Sequence, residues 1–258
     1  MLEKIFAHIY KQSKITSRRL GDLATLFFHP LIGMFSVGTL AYFAVLEGTA
    51  LDTLTYVFVG VISWSFFELT ERAVTFSLTL DIWDNCLKHS FAAKQGIRHM
   101  VTGNSIFGLS SSIIAFTLIS VISFLVFGFN ILAGGLVLIP AFFYVFLFAV
   151  AIGLLINSLL VYKGEKYMAL IWMLPGLIMI FSGVYYPISV LPGVVGAISS
   201  GMPTTYALEA VRGSILGTEV LSNLVMGAVL SVIYLVISLL VFRYAVKKGK
   251  ENGVIAKY

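Results

Sequence analysis

The chain has 258 residues, 59% of them hydrophobic and only 11% charged, with a formal net charge of +5. Soluble domains carry about 25% charged residues, so this composition excludes a soluble globular protein and indicates an integral membrane protein. The positive balance follows from membrane topology and gives no reason to expect a nucleic-acid partner.

The N-terminal segment sets Leu2, Ile5, Phe6 and Ile9 at helical spacing, with Lys4, His8 and Lys11 between them. It reads either as an amphipathic helix lying on the membrane face or as a plain basic anchor for the first span. The first 22 residues carry several charges and no apolar core, so they are not a cleaved secretory signal. A transmembrane helix needs about 20 mostly apolar residues to cross about 30 Å of hydrocarbon. The first such stretch covers residues 23–46 and the second 54–80. Residues 100–162 contain no Lys, Arg, Asp, Glu or His. As one helix that run would extend about 95 Å, so a turn is expected at GFNILAGG, residues 128–135, between spans at 101–127 and 136–161. A fifth span covers residues 167–183 and a sixth 221–242. The single cysteine, Cys86, excludes an internal disulfide, and no Asn-x-Ser/Thr sequon occurs.

The charges orient this map. Lys4, Lys11, Lys14, Arg18 and Arg19 precede the first span. Lys88, Lys94 and Arg98 follow the second, Lys163 and Lys166 follow the fourth, and Arg243, Lys247, Lys248, Lys250 and Lys257 follow the sixth. The links after spans one and three have no Lys or Arg. The positive-inside rule places both termini in the cytoplasm, and an even number of spans requires them on one side.

Between spans five and six the chain stays oily yet is broken by Pro187, Pro192 and Pro203, and by Gly193, Gly196, Gly201, Gly213 and Gly217. Its pieces ISVLPGVVGAIS and TTYALEAVRGSIL are too short to span. They read either as a re-entrant outer helical hairpin over residues 184–219 or as an amphipathic loop on the lipid surface. At that depth irregular backbone is tolerated only against protein or a water-filled cavity. Glu209 and Arg212 lie three apart on a helix and can pair. Pro203-Thr204-Thr205 reads as a helix start with Thr as a cap.

Two elements here resemble the membrane subunits of type-2 (ABC-2) ATP-binding-cassette exporters. The family pattern G-x-x-[YF]-P-x-x-x-[LM]-P is matched by Gly183-Val-Tyr-Tyr-Pro187-Ile-Ser-Val-Leu-Pro192. The pattern P-x-[TS]-[YH]-x-[LV]-[ED]-x-x-R is matched by Pro203-Thr-Thr-Tyr-Ala-Leu-Glu209-Ala-Val-Arg212. RRLGDLATLFFHPLIG, residues 18–33, is similar to the family's opening, a basic helix running into a span with an early proline. The resemblance implies an all-α fold: a single transmembrane domain over residues 1–258, with six spans, an N-terminal interfacial helix and the outer hairpin. It implies an export permease of the plasma membrane that works as two copies or two related subunits, above two cytoplasmic ATPase subunits. Gly183, Tyr186, Pro187, Pro192, Pro203, Glu209 and Arg212 would form the re-entrant gate.

The chain has no G-x-x-x-x-G-K-[ST] phosphate loop. It is therefore expected to bind no cofactor and to be no enzyme by itself; ATP and Mg would be used by the partner ATPase. In LDIWDNCLKHSF, residues 80–91, Trp83, Leu87 and Phe91 recur one turn apart beside Asp84 and Lys88. The resemblance makes this link a coupling helix seated on the ATPase; an interfacial helix capping the bundle is the other reading. Within span two, Glu68, Glu71 and Arg72 are costly in lipid and mark a functional or buried polar site. They read as a lock between helices, as a polar lining of the substrate path, or as a proton relay. The competing function is an ion-coupled secondary transporter using those three residues, although no inverted repeat is visible. A membrane enzyme would need a Ser-His pair or a metal cluster inside the spans, and His8, His29, His89 and His99 all lie near or beyond the cytoplasmic boundary.

Overall fold

The computed structural model describes residues 2–18, 20–47, 52–84 and 97–253. Its elements, in chain order, are α1 (Leu2–Arg18), α2 (Leu20–Leu46), α3 (Asp52–Trp83), α4 (Ile97–Phe127), a 3-10 segment (Ile131–Val137), α5 (Leu138–Lys163), a 3-10 turn (Glu165–Tyr167), α6 (Leu170–Phe181), a 3-10 turn (Ile188–Val190), α7 (Gly193–Ser199), α8 (Pro203–Leu216) and α9 (Leu221–Glu251). Among the described residues there is no strand. Among the described residues, four helices are long and apolar enough to cross a membrane: α3, α4, α5 with its preceding 3-10 segment, and α9. Pro30–Leu46 of α2 and Leu170–Phe181 of α6 are shorter apolar helices.

Sequence patterning and structure differ mainly at helix ends. The turn between α4 and α5 is built by Asn130, whose side chain accepts from the Leu132 N–H, and by Gly135 at φ 57°, which kinks the 3-10 segment. The helix expected over 167–183 is 12 residues long, about 18 Å at 1.5 Å per residue. It stops because Gly183 turns left-handed at φ 61°. The helix expected to end at residue 242 runs on to Glu251. No proline stands before Asn252-Gly253, and Lys248 and Lys250 in the last turn suit the negative end of the helix dipole. Met202, not a threonine, caps α8, with Pro203 in its first turn. The two threonines bond elsewhere.

The mostly buried helices α3 and α5 form the centre, and small residues bring them together. A Cβ on Gly153 would fall 2.9 Å from Val74. Asn157 donates to the Val74 carbonyl oxygen at 2.8 Å, and Phe67 packs on Phe148 with ring centroids 5.6 Å apart. α4 joins α3 through the Thr70–Ser112 hydroxyl pair at 2.7 Å. Such polar contacts between apolar helices each contribute about 0.6–2 kcal/mol. α9 lies along α5, with Tyr234 edge-on to Phe148 and the Ser231 hydroxyl donating to the Tyr144 carbonyl. The outward faces of α2, α4 and α9 stay exposed and apolar, including Leu40, Leu125, Val229 and Leu240.

The two ends of the bundle differ. At one end α1 packs across α4 and α2, and Lys11 pairs with Asp81 near the end of α3 at 2.7 Å. The indole N–H of Trp83 donates to the Met168 sulfur in the link between α5 and α6. Gly249 of α9 packs against Val161 near the end of α5 at this same end. At the opposite end α8 covers the start of α5 and the beginning of α3.

Candidate functional site

Past the end of α6 the chain turns at Gly183 and Val184, whose backbone carbonyls lie outside any helical ladder. Arg212 of α8 satisfies them. Its side chain is 2% exposed. One terminal nitrogen donates to the carbonyl oxygens of Val184 at 2.8 Å, Gly183 at 3.0 Å and Tyr56 at 3.1 Å. The other pairs with Glu209 at 2.8 Å. The guanidinium also lies over the Tyr56 ring, 4.5 Å from its centroid. Burial pulls the guanidinium pKa below its ordinary value, and Glu209 pulls it back up. One cation thus ties α3, the end of α6 and α8 together. Fork geometry matters here, because arginine can serve several acceptors from one plane.

The surrounding residues tighten the same joint. Ser182 and Thr204 share a hydrogen bond between hydroxyls. Thr205 donates to the Ser199 carbonyl at 2.9 Å, and the Tyr206 hydroxyl donates to the Ser200 carbonyl at 2.9 Å, so α8 closes the end of α7. Tyr186 folds back and donates to the Ile180 carbonyl at 2.8 Å. Pro187 and Pro192 stand immediately before a 3-10 turn and α7 respectively, positions where a missing N–H costs little. Gly60 of α3 lies under the joint, where a Cβ would fall 1.7 Å from the Val184 carbonyl oxygen. Gly183, Tyr186, Pro187, Pro192, Pro203, Glu209 and Arg212 therefore belong to one structure. Tyr56, Gly60, Ser182 and Thr204 join them; sequence reasoning gave the first three no role and expected the threonines only as a helix cap.

Below that joint lies a cavity of about 330 Å³ between α2, α3 and α6. Glu68 and Arg72 line it and pair across one turn of α3 at 2.5 Å. Arg72 also lies over the Trp172 ring, 5.1 Å from its centroid. Pro30 and Pro175 line the cavity from α2 and α6, and Tyr185 closes it toward the joint. Each proline removes a helical N–H and frees the carbonyl four residues before it. The cavity therefore combines an ion pair, two proline breaks and aromatic walls. Glu71 is apart from it: it is fully buried, and Thr75 donates to its carboxylate.

Trp83 is the last residue of α3 and half exposed, and Asp84 follows it in a turn. Leu87, Lys88 and Phe91 lie outside the described residues.

The family model for the ABC-2 type transporter matches residues 3–216, most of the chain, and the match takes in the joint and the cavity. No curated protein matches the chain.

Proposed function

The chain belongs to the ABC-2 type transporter family, and from that premise we propose that it is the permease of an ATP-driven exporter for an amphipathic cargo. A separate cytoplasmic ATPase supplies the energy. We count α2 and α6 with the four long helices as six spans, with both termini in the cytoplasm and α7–α8 as an outer hairpin. The basic residues near Lys11, Lys163 and Lys248 at one end of the bundle support that orientation. The ATPase seats against the link between α3 and α4, and a second permease copy completes the path.

The observation that carries this reading is the cavity. An ion pair half-way along a spanning helix is costly unless it faces protein or a polar space. Glu68 and Arg72 face such a space, walled by Trp172 and Tyr185. A polar group on the cargo meets the ion pair while its apolar part meets the rings. This favours glycan-lipid, lipid or drug-like cargo over small ions.

The test is transport into inside-out proteoliposomes holding the permease and its ATPase. The probes are a panel of amphipathic dyes, phospholipids and lipid-linked glycans. Uptake of at least one probe is expected to need ATP and the partner, and to survive collapse of ion gradients. Glu68→Gln and Arg72→Met are expected to assemble normally and to lower probe-stimulated ATP hydrolysis about tenfold, equivalent to about 1.4 kcal/mol. Uptake driven by a proton or sodium gradient without ATP overturns the reading in favour of an ion-coupled carrier.

A further inference from the structure

α4 and α5 follow one another in the chain, and both pack on α3, yet their backbones stay apart. Between them runs a cleft of about 590 Å³ that opens on the outer surface of the bundle. Phe66 of α3 forms its floor; Leu109 and Phe116 of α4 face Leu138, Phe142 and Phe146 of α5. The Phe142 ring stands edge-on to Phe116 at 4.8 Å and to Phe66 at 5.0 Å, so the floor is held by interlocked rings. Its rim residues Ile113, Leu132, Ile139 and Phe143 are each more than half exposed. The cleft's single polar side chain, Thr117, donates its hydroxyl to its own helix, at the Ile113 carbonyl.

We propose that this cleft between α4 and α5 binds one acyl chain of a membrane lipid and selects the chain without selecting the headgroup. Water has no partners in a cleft whose lone hydroxyl is already used, and apolar cavities of this kind stay dry. A dry cleft opening sideways from a membrane-spanning bundle meets hydrocarbon, and burial of an entering chain's methylenes there keeps them from water. In the bilayer the gain is that of fitted contacts over loose lipid packing. The lack of headgroup selection follows from charge. Residues 100–162 carry no ionisable side chain apart from tyrosine, so the parts of α4 and α5 that line the cleft, and the turn between them, offer a phosphate or an ammonium no ionic partner; Arg98, His99 and Lys163 stand at the far ends of the two helices. Placing the lipid in the outer leaflet rests on the orientation proposed above; occupancy of the cleft does not.

The test uses the full-length protein in nanodiscs with phosphatidylcholine and phosphatidylglycerol, each carrying a diazirine near the end of one acyl chain. Cross-linked peptides are mapped by mass spectrometry. Labelling is expected to concentrate several-fold on residues 109–117 and 132–146 over the exposed face of α9 at 225–241, equally for both headgroups. Ile113→Trp with Ile139→Trp, which fills the cleft from two lipid-exposed positions, is expected to lower that labelling several-fold and leave α9 unchanged. Equal labelling of α4, α5 and α9 means an ordinary lipid annulus and overturns the proposal, as does labelling by one headgroup alone. Disulfide cross-linking of two chains through Ile139→Cys, in a Cys86→Ser background, overturns it too, because the cleft is then filled by a second copy.

Discussion

Replacing Arg212 tests whether the joint of α3, α6 and α8 hangs on one side chain. Arg212→Ala leaves the carbonyls of Tyr56, Gly183 and Val184 without their donor and Glu209 without its partner. Deleting one member of a buried ion pair costs about 3–5 kcal/mol, and the 2% exposure of Arg212 puts it in that class. Arg212→Lys keeps the charge but loses the planar fork, so part of the carbonyl set is abandoned; hydrogen bonds to charged groups contribute about 1.5–3 kcal/mol, and the cost falls there. Glu209 is 26% exposed, and Glu209→Gln keeps an acceptor, so its cost falls within the 0–1 kcal/mol, roughly, of partly solvated pairs. The assay is hydrogen exchange of residues 182–206 in nanodiscs, which reads local opening directly. A loss of about 3 kcal/mol raises opening about a hundredfold. The expected order of exchange is Arg212→Ala, then Arg212→Lys, then Glu209→Gln, then the natural chain. Unchanged exchange in Arg212→Ala, or a larger effect from Glu209→Gln, refutes the reasoning.

Gly60→Ala forces a methyl into the Val184 carbonyl oxygen, so it is expected to lower the thermal midpoint and raise exchange at 182–190. Gly193→Ala, which meets nothing within 4 Å, is the control and leaves both unchanged. Asp81→Lys is expected to release α1 from the end of α3 and expose the junction between α1 and α2 to protease, while adding Lys11→Asp restores protection; no restoration means that the pair does not hold α1. Removing the pair costs about 1 kcal/mol, since Lys11 is partly solvated. Trp83→Ala with Phe91→Ala is expected to insert normally and lose co-purification with the ATPase; unchanged co-purification removes this link as the contact.

Much of the helix layout was legible because lipid imposes a simple requirement. A backbone in hydrocarbon must satisfy its own hydrogen bonds, so apolar runs become helices and breaks show as Pro and Gly. Thus α3, α4 and α5 lie where hydropathy puts them, and the turn falls at Asn130–Gly135. Helix ends were less legible. Hydropathy cannot tell a helix leaving the membrane from a helix that stops, so α9 runs past residue 242 through four basic residues. The motif around Arg212 was visible, and so was its ion pair with Glu209, because three-residue spacing is local. Its larger role was not. Tyr56 lies 156 residues away and contributes a backbone carbonyl, which no residue pattern marks. The cavity was half legible: Glu68 and Arg72 stand out in a span, whereas Pro30, Trp172 and Pro175 acquire meaning only once α2 and α6 are beside α3.

The joint and the cavity share their walls, and that bears on how the proposed hairpin of α7 and α8 works. Arg212 binds nothing on a distant loop; every acceptor other than Glu209 lies at the start of α3 or just beyond α6. Those same two helices carry Glu68, Arg72 and Trp172 around the cavity. A flap that opened alone would have to strip a nearly buried guanidinium of its acceptors, at a cost of about 3–5 kcal/mol. A tilt of α3 and α6 that carries α8 with them breaks none of these bonds. α3 is 32 residues long, about 48 Å from Trp83 to Asp52, so a small tilt imposed at its Trp83 end becomes a displacement at Tyr56. The hairpin is therefore best understood as a roof fixed to the walls, opening when the walls move. If so, Arg212→Ala uncouples roof from walls: ATP hydrolysis continues while transport fails. A variant that loses both in parallel instead identifies Arg212 as a purely structural staple.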